Sequence, residues 1–234
     1  MGATLDPLAH DRTLGTTSTR HAVDYDEVYY RSRQAWPDFR MEVDALLRLA
    51  NLTPEASVLE LGCGGGELLR RVGDSVRLGV GVDISLNGLS VARAAGLARL
   101  VAARAETLPF VDGVFDAVLA QHLIEHLDSP SRALAEWRRV LRPGGRLLLV
   151  TPNAAYPDPG IFHDPTHVTL FTEETLRRAL EEAGFRVVRL FTLFPYLGRG
   201  RIPRAASIRL APLVSRVPGI SHGGRSLVAA AISP

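Results

Sequence analysis

Val58-Leu59-Glu60-Leu61-Gly62-Cys63-Gly64-Gly65-Gly66 is the stretch on which the reading of this chain turns. Ala56–Leu61 is a short, nearly continuous apolar run, the pattern of a strand buried on both faces. The glycines after it supply a tight turn and allow another group to approach the backbone closely. Glu67–Val72 reads as the helix that follows, and its first unpaired N–H groups face any polar ligand held at the turn. The dinucleotide pattern G-x-G-x-x-G fails here, because Glu67 occupies its last glycine position.

Outward from this turn, short apolar runs alternate with amphipathic stretches. Residues 40–52 predict a helix that stops before Thr53-Pro54. Val80–Ile84 predicts a second strand, Leu86–Ala95 a helix, Arg99–Ala103 a weak third strand and Phe115–Ala120 a fourth. Pro130–Leu141 reads as a helix stopped by Arg142-Pro143-Gly144-Gly145, since proline and glycine cannot continue it. Arg146–Val150, Phe185–Phe191 and Leu227–Ile232 complete the strands, and Thr172–Ala183 is a helix capped by Thr172 and ended by Gly184. Strands alternating with helices imply an α/β fold with a mainly parallel sheet and helices on both faces. Ligands on such sheets sit beyond the carboxyl ends of the strands.

The 234 residues suit one such domain; 46% are hydrophobic and 22% charged, ordinary for a globular protein. No apolar run approaches the roughly 18 residues of a membrane span. Residues 1–20 lack the apolar core of a secretory signal and are expected to form a flexible lead-in, with a single domain over 21–234. Cys63 is the only cysteine, which excludes an intrachain disulfide and a thiolate metal cage and suggests a cytoplasmic location. All 27 basic residues are arginine, so Schiff-base lysine chemistry and a P-loop lysine are excluded. Residues 183–234 carry eight arginines and no carboxylate, leaving an acidic body with a basic C-terminal region. Glycines and prolines break up 195–225, expected to be a basic insert before the last strand.

Asp83 ends the second predicted strand 17 residues after Gly66, where a carboxylate can accept both hydroxyls of a ribose. The ordered series Val58–Gly66, Val82-Asp83-Ile84, Ala105-Glu106-Thr107-Leu108-Pro109-Phe110, Phe115-Asp116-Ala117-Val118 and Leu141-Arg-Pro-Gly-Gly-Arg146 resembles the successive motifs of class I S-adenosylmethionine (SAM)-dependent methyltransferases. The resemblance covers about residues 40–190. It implies a Rossmann-like, seven-stranded sheet with an antiparallel last strand, and SAM as cofactor with S-adenosylhomocysteine as product. Carried over by position, Glu60 and the backbone of Gly62, Cys63, Gly64 and Gly66 would hold the methionine end. Asp83 would bind the ribose, Ile84 would pack on adenine, and Ala105 and Glu106 would line the adenine edge. Gln121 would face the methionine end. Arg104 departs from the family, where many relatives carry an aspartate that accepts from the adenine amino group; arginine has no acceptor.

Gln121-His122-Leu-Ile-Glu125-His126 follows the fourth strand, beside the expected methyl group. His122 is a candidate base, whereas Glu125 and His126 read best as braces of the loop. His163-Asp-Pro-Thr-His167 follows the fifth strand and resembles a segment of ubiquinone-type and other small-molecule O-methyltransferases, which makes His163 and His167 further candidate bases. His122, Glu125 and His126 would share one face of a helix. Some small-RNA methyltransferases bind a divalent ion with Glu-x-x-Glu-His and a later histidine. Here His122 stands in place of the first glutamate, so a resident metal is not favoured.

No Asn/Asp-Pro-Pro-Tyr/Phe sequence follows the fourth strand and no Pro-Cys nucleophile exists, which disfavours nucleic-acid base methylation. Without lysine or interleaved aromatics the basic tail is a thin platform for RNA, and nucleic acid is disfavoured as a partner. The expected acceptor is a small or lipid-linked molecule, methylated on oxygen in quinone, glycan or secondary metabolism. Tyr25, Tyr29, Tyr30 and Trp36, within 21–39, are a candidate lid. The basic insert suits an anionic acceptor or peripheral contact with an anionic membrane surface. Two alternatives stand beside this: an RNA or protein methyltransferase, and a SAM-binding protein without turnover.

Overall fold

The computed structural model describes residues 27–33, 37–156, 164–193, 213 and 224–234. Helices α1 (Glu27–Arg33) and α2 (Pro37–Ala50) precede β1 (Ser57–Leu61) and α3 (Glu67–Val72). Then come β2 (Leu78–Asp83), α4 (Leu86–Ala94), β3 (Leu100–Ala102), β4 (Phe115–Gln121), α5 (Pro130–Val140) and β5 (Leu141–Pro152). The chain closes with α6 (Glu173–Glu182), β6 (Arg186–Leu193) and β7 (Ser226–Ile232). Of the expected regions, residues 1–26, Trp36, His163 and nearly all of the 195–225 insert lie outside the described residues.

The sheet has seven strands in the order β3-β2-β1-β4-β5-β7-β6. Pairings from β3 through β5 are parallel, and β7 runs antiparallel to both β5 and β6. Successive side chains of a strand point to opposite faces, and this alternation divides the core in two. Leu59, Leu61, Val118, Ala120, Leu147, Leu149, Leu227 and Ala229 face α5 and α6, where they pack around Leu134, Trp137, Leu176 and Leu180. Val58, Ala117, Leu119, Leu148, Val150, Val228 and Ala230 face Val43 and Leu46 of α2 and Leu68 and Val72 of α3. Strands clothed on both faces contain few polar residues, which is why they read as runs in the sequence.

One element differs from its sequence expectation. Helix α5 stops at Val140, one residue before the expected Leu141, and no separate turn follows: β5 begins at once, at Leu141. The register with β4 jumps between Phe115↔Leu141 and Ala117↔Arg146, so Arg142–Gly145 bulge out of the ladder. Gly144 takes φ 78°, its N–H donates to the Ser233 carbonyl at 2.7 Å, and the Ser233 N–H donates to the Gly145 carbonyl at 2.9 Å. Arg142 pairs with Asp116 of β4. The proline and glycines thus end the helix and bulge the strand in one place. Among the described residues no helix is long and apolar enough to cross a membrane.

Candidate functional site

The carboxyl ends of β1, β2, β4 and β5 converge on one edge of the sheet, and the expected site residues that are described gather there. Strand β1 gives way to the turn at Gly62 (φ 64°), which continues through Gly64 (φ 48°) and Gly66 (φ 76°). Three left-handed residues in one short turn explain its glycines. Asp83 ties the turn to β2: one carboxylate oxygen accepts from the Gly64 N–H at 2.7 Å, the other from the Ser85 N–H at 2.8 Å. Ser85 in turn caps α4, accepting from Gly88 N–H at 3.0 Å. Glu60 is buried, and its carboxylate accepts from the Leu69 N–H at 2.8 Å in the first turn of α3.

Cys63 is buried against Gly81. Burial, then the nearby Glu60 and Asp83 carboxylates, push its thiol far above the usual range. It is a packing residue and not a nucleophile.

Tyr30 lies on this turn. A Cβ at Gly64 would meet its ring at 2.7 Å, and one at Gly88 would meet its hydroxyl at 3.0 Å. Tyr29 packs edge-on against Tyr30, with centroids 5.6 Å apart. Of the proposed lid aromatics these two are described, and Tyr30 covers the glycine turn.

At the neighbouring corner Ile84 is 48% exposed, an apolar side chain left open beside Asp83. The Ala105 carbonyl accepts from the buried Trp137 indole N–H at 2.9 Å. The Arg104 guanidinium donates to Glu106 at 3.3 Å, so the residue that departs from the family pattern is held by the carboxylate next to it. A cavity of about 340 Å³ opens there, lined by Arg104, Glu106, Thr107, Asp128, Ser129 and Arg132.

Beyond β4 the structure assembles a charge network whose centre the sequence did not reveal. Glu42 of α2, 2% exposed, accepts from Gln121 Nε2 at 2.9 Å, faces His122 Nε2 at 2.9 Å and accepts from Ser226 Oγ at 2.5 Å. The other ring nitrogen of His122 faces Glu125 at 3.1 Å, and Glu125 also accepts from Thr151 Oγ1 at 3.0 Å. Burial alone would raise the Glu42 carboxyl; the attraction of His122 and the hydrogen bonds of His122, Ser226 and Gln121 outweigh it and bring the group to about 2. Burial would likewise lower His122, but Glu42 and Glu125 raise it to about 9. A carboxylate on each ring nitrogen favours the protonated form, and in that form the ring has no lone pair with which to act as the base expected of His122. It is also held at φ 52°, a strained conformation for a non-glycine residue. Gln121 turns its amide nitrogen to Glu42. The one available signal for Glu42 was its place on the apolar stripe of α2, among the buried Phe39, Val43 and Leu46.

The brace role read for Glu125 and His126 is visible. The Glu125 carbonyl accepts from Val168 N–H at 2.8 Å and Thr169 N–H at 3.1 Å, stitching the two loops together. His126 Nδ1 lies 3.0 Å from the Thr166 carbonyl, and its ring meets that of His167 edge-on at 5.0 Å. His167 Nε2 stands 3.8 Å from Asp164, whose carboxylate is also held by Thr166.

Residues 59–149 match the methyltransferase domain family. A Streptomyces fradiae protein encoded in a transposon is 32% identical over 89% of this chain and 63% of its own length. A Mycolicibacterium smegmatis protein named a probable S-adenosylmethionine-dependent methyltransferase is 33% identical over 64% of this chain and 59% of its own. An O-methyltransferase of Aspergillus sclerotiorum is 32% identical over 56% and 55%. Each match spans less than two thirds of the relative's length. A Haloferax volcanii protein solved with the methyltransferase activator Trm112 superposes with a TM-score of 0.68 at 21% identity, covering 89% of this chain and 95% of that one. At that identity the likeness concerns the fold. The glycine turn and Asp83 both fall within residues 59–149, the segment that matches the methyltransferase domain family, and the strand order of the sheet around it is that of the similar solved folds.

Proposed function

We propose that this protein transfers a methyl group from SAM to an oxygen of a small or lipid-linked acceptor. The observation that carries this reading is Asp83, which joins the end of β2 to the glycine turn with a carboxylate at the edge where such sheets bind ligands. A carboxylate accepts several hydrogen bonds at once, and Asp83 would accept the ribose hydroxyls from this position. Gly62, Gly64 and Gly66 would admit the methionine end close to the backbone, beside Glu60 and Gln121. Exposed Ile84 would pack on adenine, with Ala105 and Glu106 along its edge. Bound there, SAM supplies an electrophilic methyl group on a sulfonium centre.

The chain's own part is to position the acceptor and handle its proton, and positioning can supply much of the rate. His122, held between Glu42 and Glu125, would fix the loop after β4 beside the acceptor. His126, His167 and Asp164 form the group at which the acceptor's proton is handled, together with the base candidate His163, which lies outside the described residues. Oxygen as the target draws support from the O-methyltransferases among the relatives. The eight arginines of residues 183–234 favour an anionic or lipid-linked acceptor, with contact to an anionic membrane surface.

The test is SAM titration calorimetry followed by transfer of label from SAM to a metabolite and lipid extract, with total RNA alongside. Asp83→Ala should weaken SAM at least about tenfold, or about 1.4 kcal/mol, and unchanged affinity would refute the ribose assignment. His167→Ala should keep SAM affinity while turnover falls. Label entering RNA instead of small molecules would overturn the acceptor class, and SAM binding without any labelled product would overturn catalysis.

A further inference from the structure

We propose that Glu125, His126 and His167 form a binding site for one divalent transition-metal ion. One ligand atom from each lies within 4.8 Å of the other two. Metal–ligand bonds of about 2.0–2.2 Å place neighbouring ligands about 3–4 Å apart, so small side-chain rotations would close the set. Two imidazoles and one carboxylate suit zinc, cobalt, manganese or iron in the divalent state.

The surrounding bonds orient these groups as ligands. His126 Nδ1 faces the Thr166 carbonyl at 3.0 Å, which fixes the proton there and leaves the lone pair on Nε2. A carbonyl partner on the second ring nitrogen is the usual support of a metal-binding histidine. Both Glu125 oxygens are already oriented, one by His122 and one by Thr151, and each retains a further lone pair. The backbone bonds from Val168 and Thr169 to the Glu125 carbonyl hold the His167 segment against the Glu125 loop. Asp164, 3.8 Å from His167 Nε2, would serve as its outer carboxylate.

Charge balance points the same way. Glu42, Glu125 and Asp164 bring three carboxylates to this corner, with the His122 ring between the first two. A divalent cation would offset the surplus. Of the set the sequence offered, His122, Glu125 and His126 with His163 or His167 to complete the shell, His122 is engaged between carboxylates, and Glu125, His126 and His167 are the three brought together. This inference rests on the function proposed above and deepens its acceptor side: His126 and His167 would then handle the acceptor's proton through the ion they hold and not as bases themselves, the ion lowering the pKa of an acceptor hydroxyl bound to it and the released proton passing to solvent.

Cobalt(II) titration of the metal-stripped full chain tests the site without any methyl acceptor. Visible d–d absorption should grow to one equivalent per chain and be displaced by zinc. His126→Gln and His167→Gln, each checked for folding by circular dichroism, should each weaken cobalt binding at least tenfold. Absence of saturable binding to the wild-type chain, or binding that both variants retain, would overturn the proposal. SAM affinity, measured on the same samples, should be unchanged in both variants, which separates failure of the metal site from failure of the cofactor assignment.

Discussion

Glu42→Gln tests the charge network most directly. Glutamine keeps the size of the side chain but removes the charge opposite His122 and turns an N–H₂ toward donors that need an acceptor. Removing one partner of a buried ion pair costs about 3–5 kcal/mol. The carboxyl itself gives an independent figure. Lowering it from 4.5 to about 2 corresponds to about 3 kcal/mol at about 1.4 kcal/mol per pKa unit. Glu42 is only 2% exposed, so solvent screening does not reduce this. The two agree on a loss of about 3 kcal/mol near neutral pH.

Urea unfolding followed by tryptophan fluorescence would read this as a midpoint drop of about 1.5 M, for a slope of about 2 kcal/mol per M. The sign of the pH dependence follows from linkage. A carboxyl whose folded pKa is depressed stabilises the fold fully above its unfolded value, and that contribution drains away as pH falls toward the folded value. The gap between wild type and Glu42→Gln should therefore be complete between about pH 4.5 and 6.5, close as pH falls from 4.5 to about 2, and shrink again as His122 loses its proton between 6.5 and about 9. A double-mutant cycle with His122→Gln should show a coupling above about 1 kcal/mol. A midpoint change below about 0.3 M, or additive single effects, would refute the ion pair as the organiser of this corner.

Other substitutions probe the cofactor side. Gly64→Ala must accept both a φ of 48° and a Cβ 2.7 Å from the Tyr30 ring, so SAM affinity and melting temperature should both fall. Adding Tyr30→Ala should relieve the clash but not the dihedral cost, and full rescue would show that sterics alone governed the position. Trp137→Phe keeps the ring in the core but strips the Ala105 carbonyl of its donor, costing about 1–2 kcal/mol in thermal unfolding. A change within error would show that the Ala105 carbonyl finds another donor.

Most of the architecture was legible in the chain because each strand lies between two helical layers, and burial on both faces leaves an unbroken apolar run. The glycine turn and Asp83 were legible for a related reason. A left-handed turn demands glycine locally, and the acid stands at a set distance along the chain. Where one segment served two purposes, the reading failed. Arg142–Gly145 looked like a turn between helix and strand, yet its glycines let a single strand bulge while staying paired to β4 and bonded to Ser233. Arg104 looked like a misfit until its neighbour Glu106 was seen to hold it.

The amino-acid sequence by itself determined the layers, the strand-ending turn and the acid that follows it, since these depend on residues close together in the chain. Only the tertiary structure decided the state of the histidines. Glu42 reaches His122 across 80 residues, and Ser226 reaches Glu42 across 184. No periodicity records such distances. A histidine's charge depends on what folding brings against its ring, and here that was a carboxylate on each nitrogen of His122 and a carbonyl on His126.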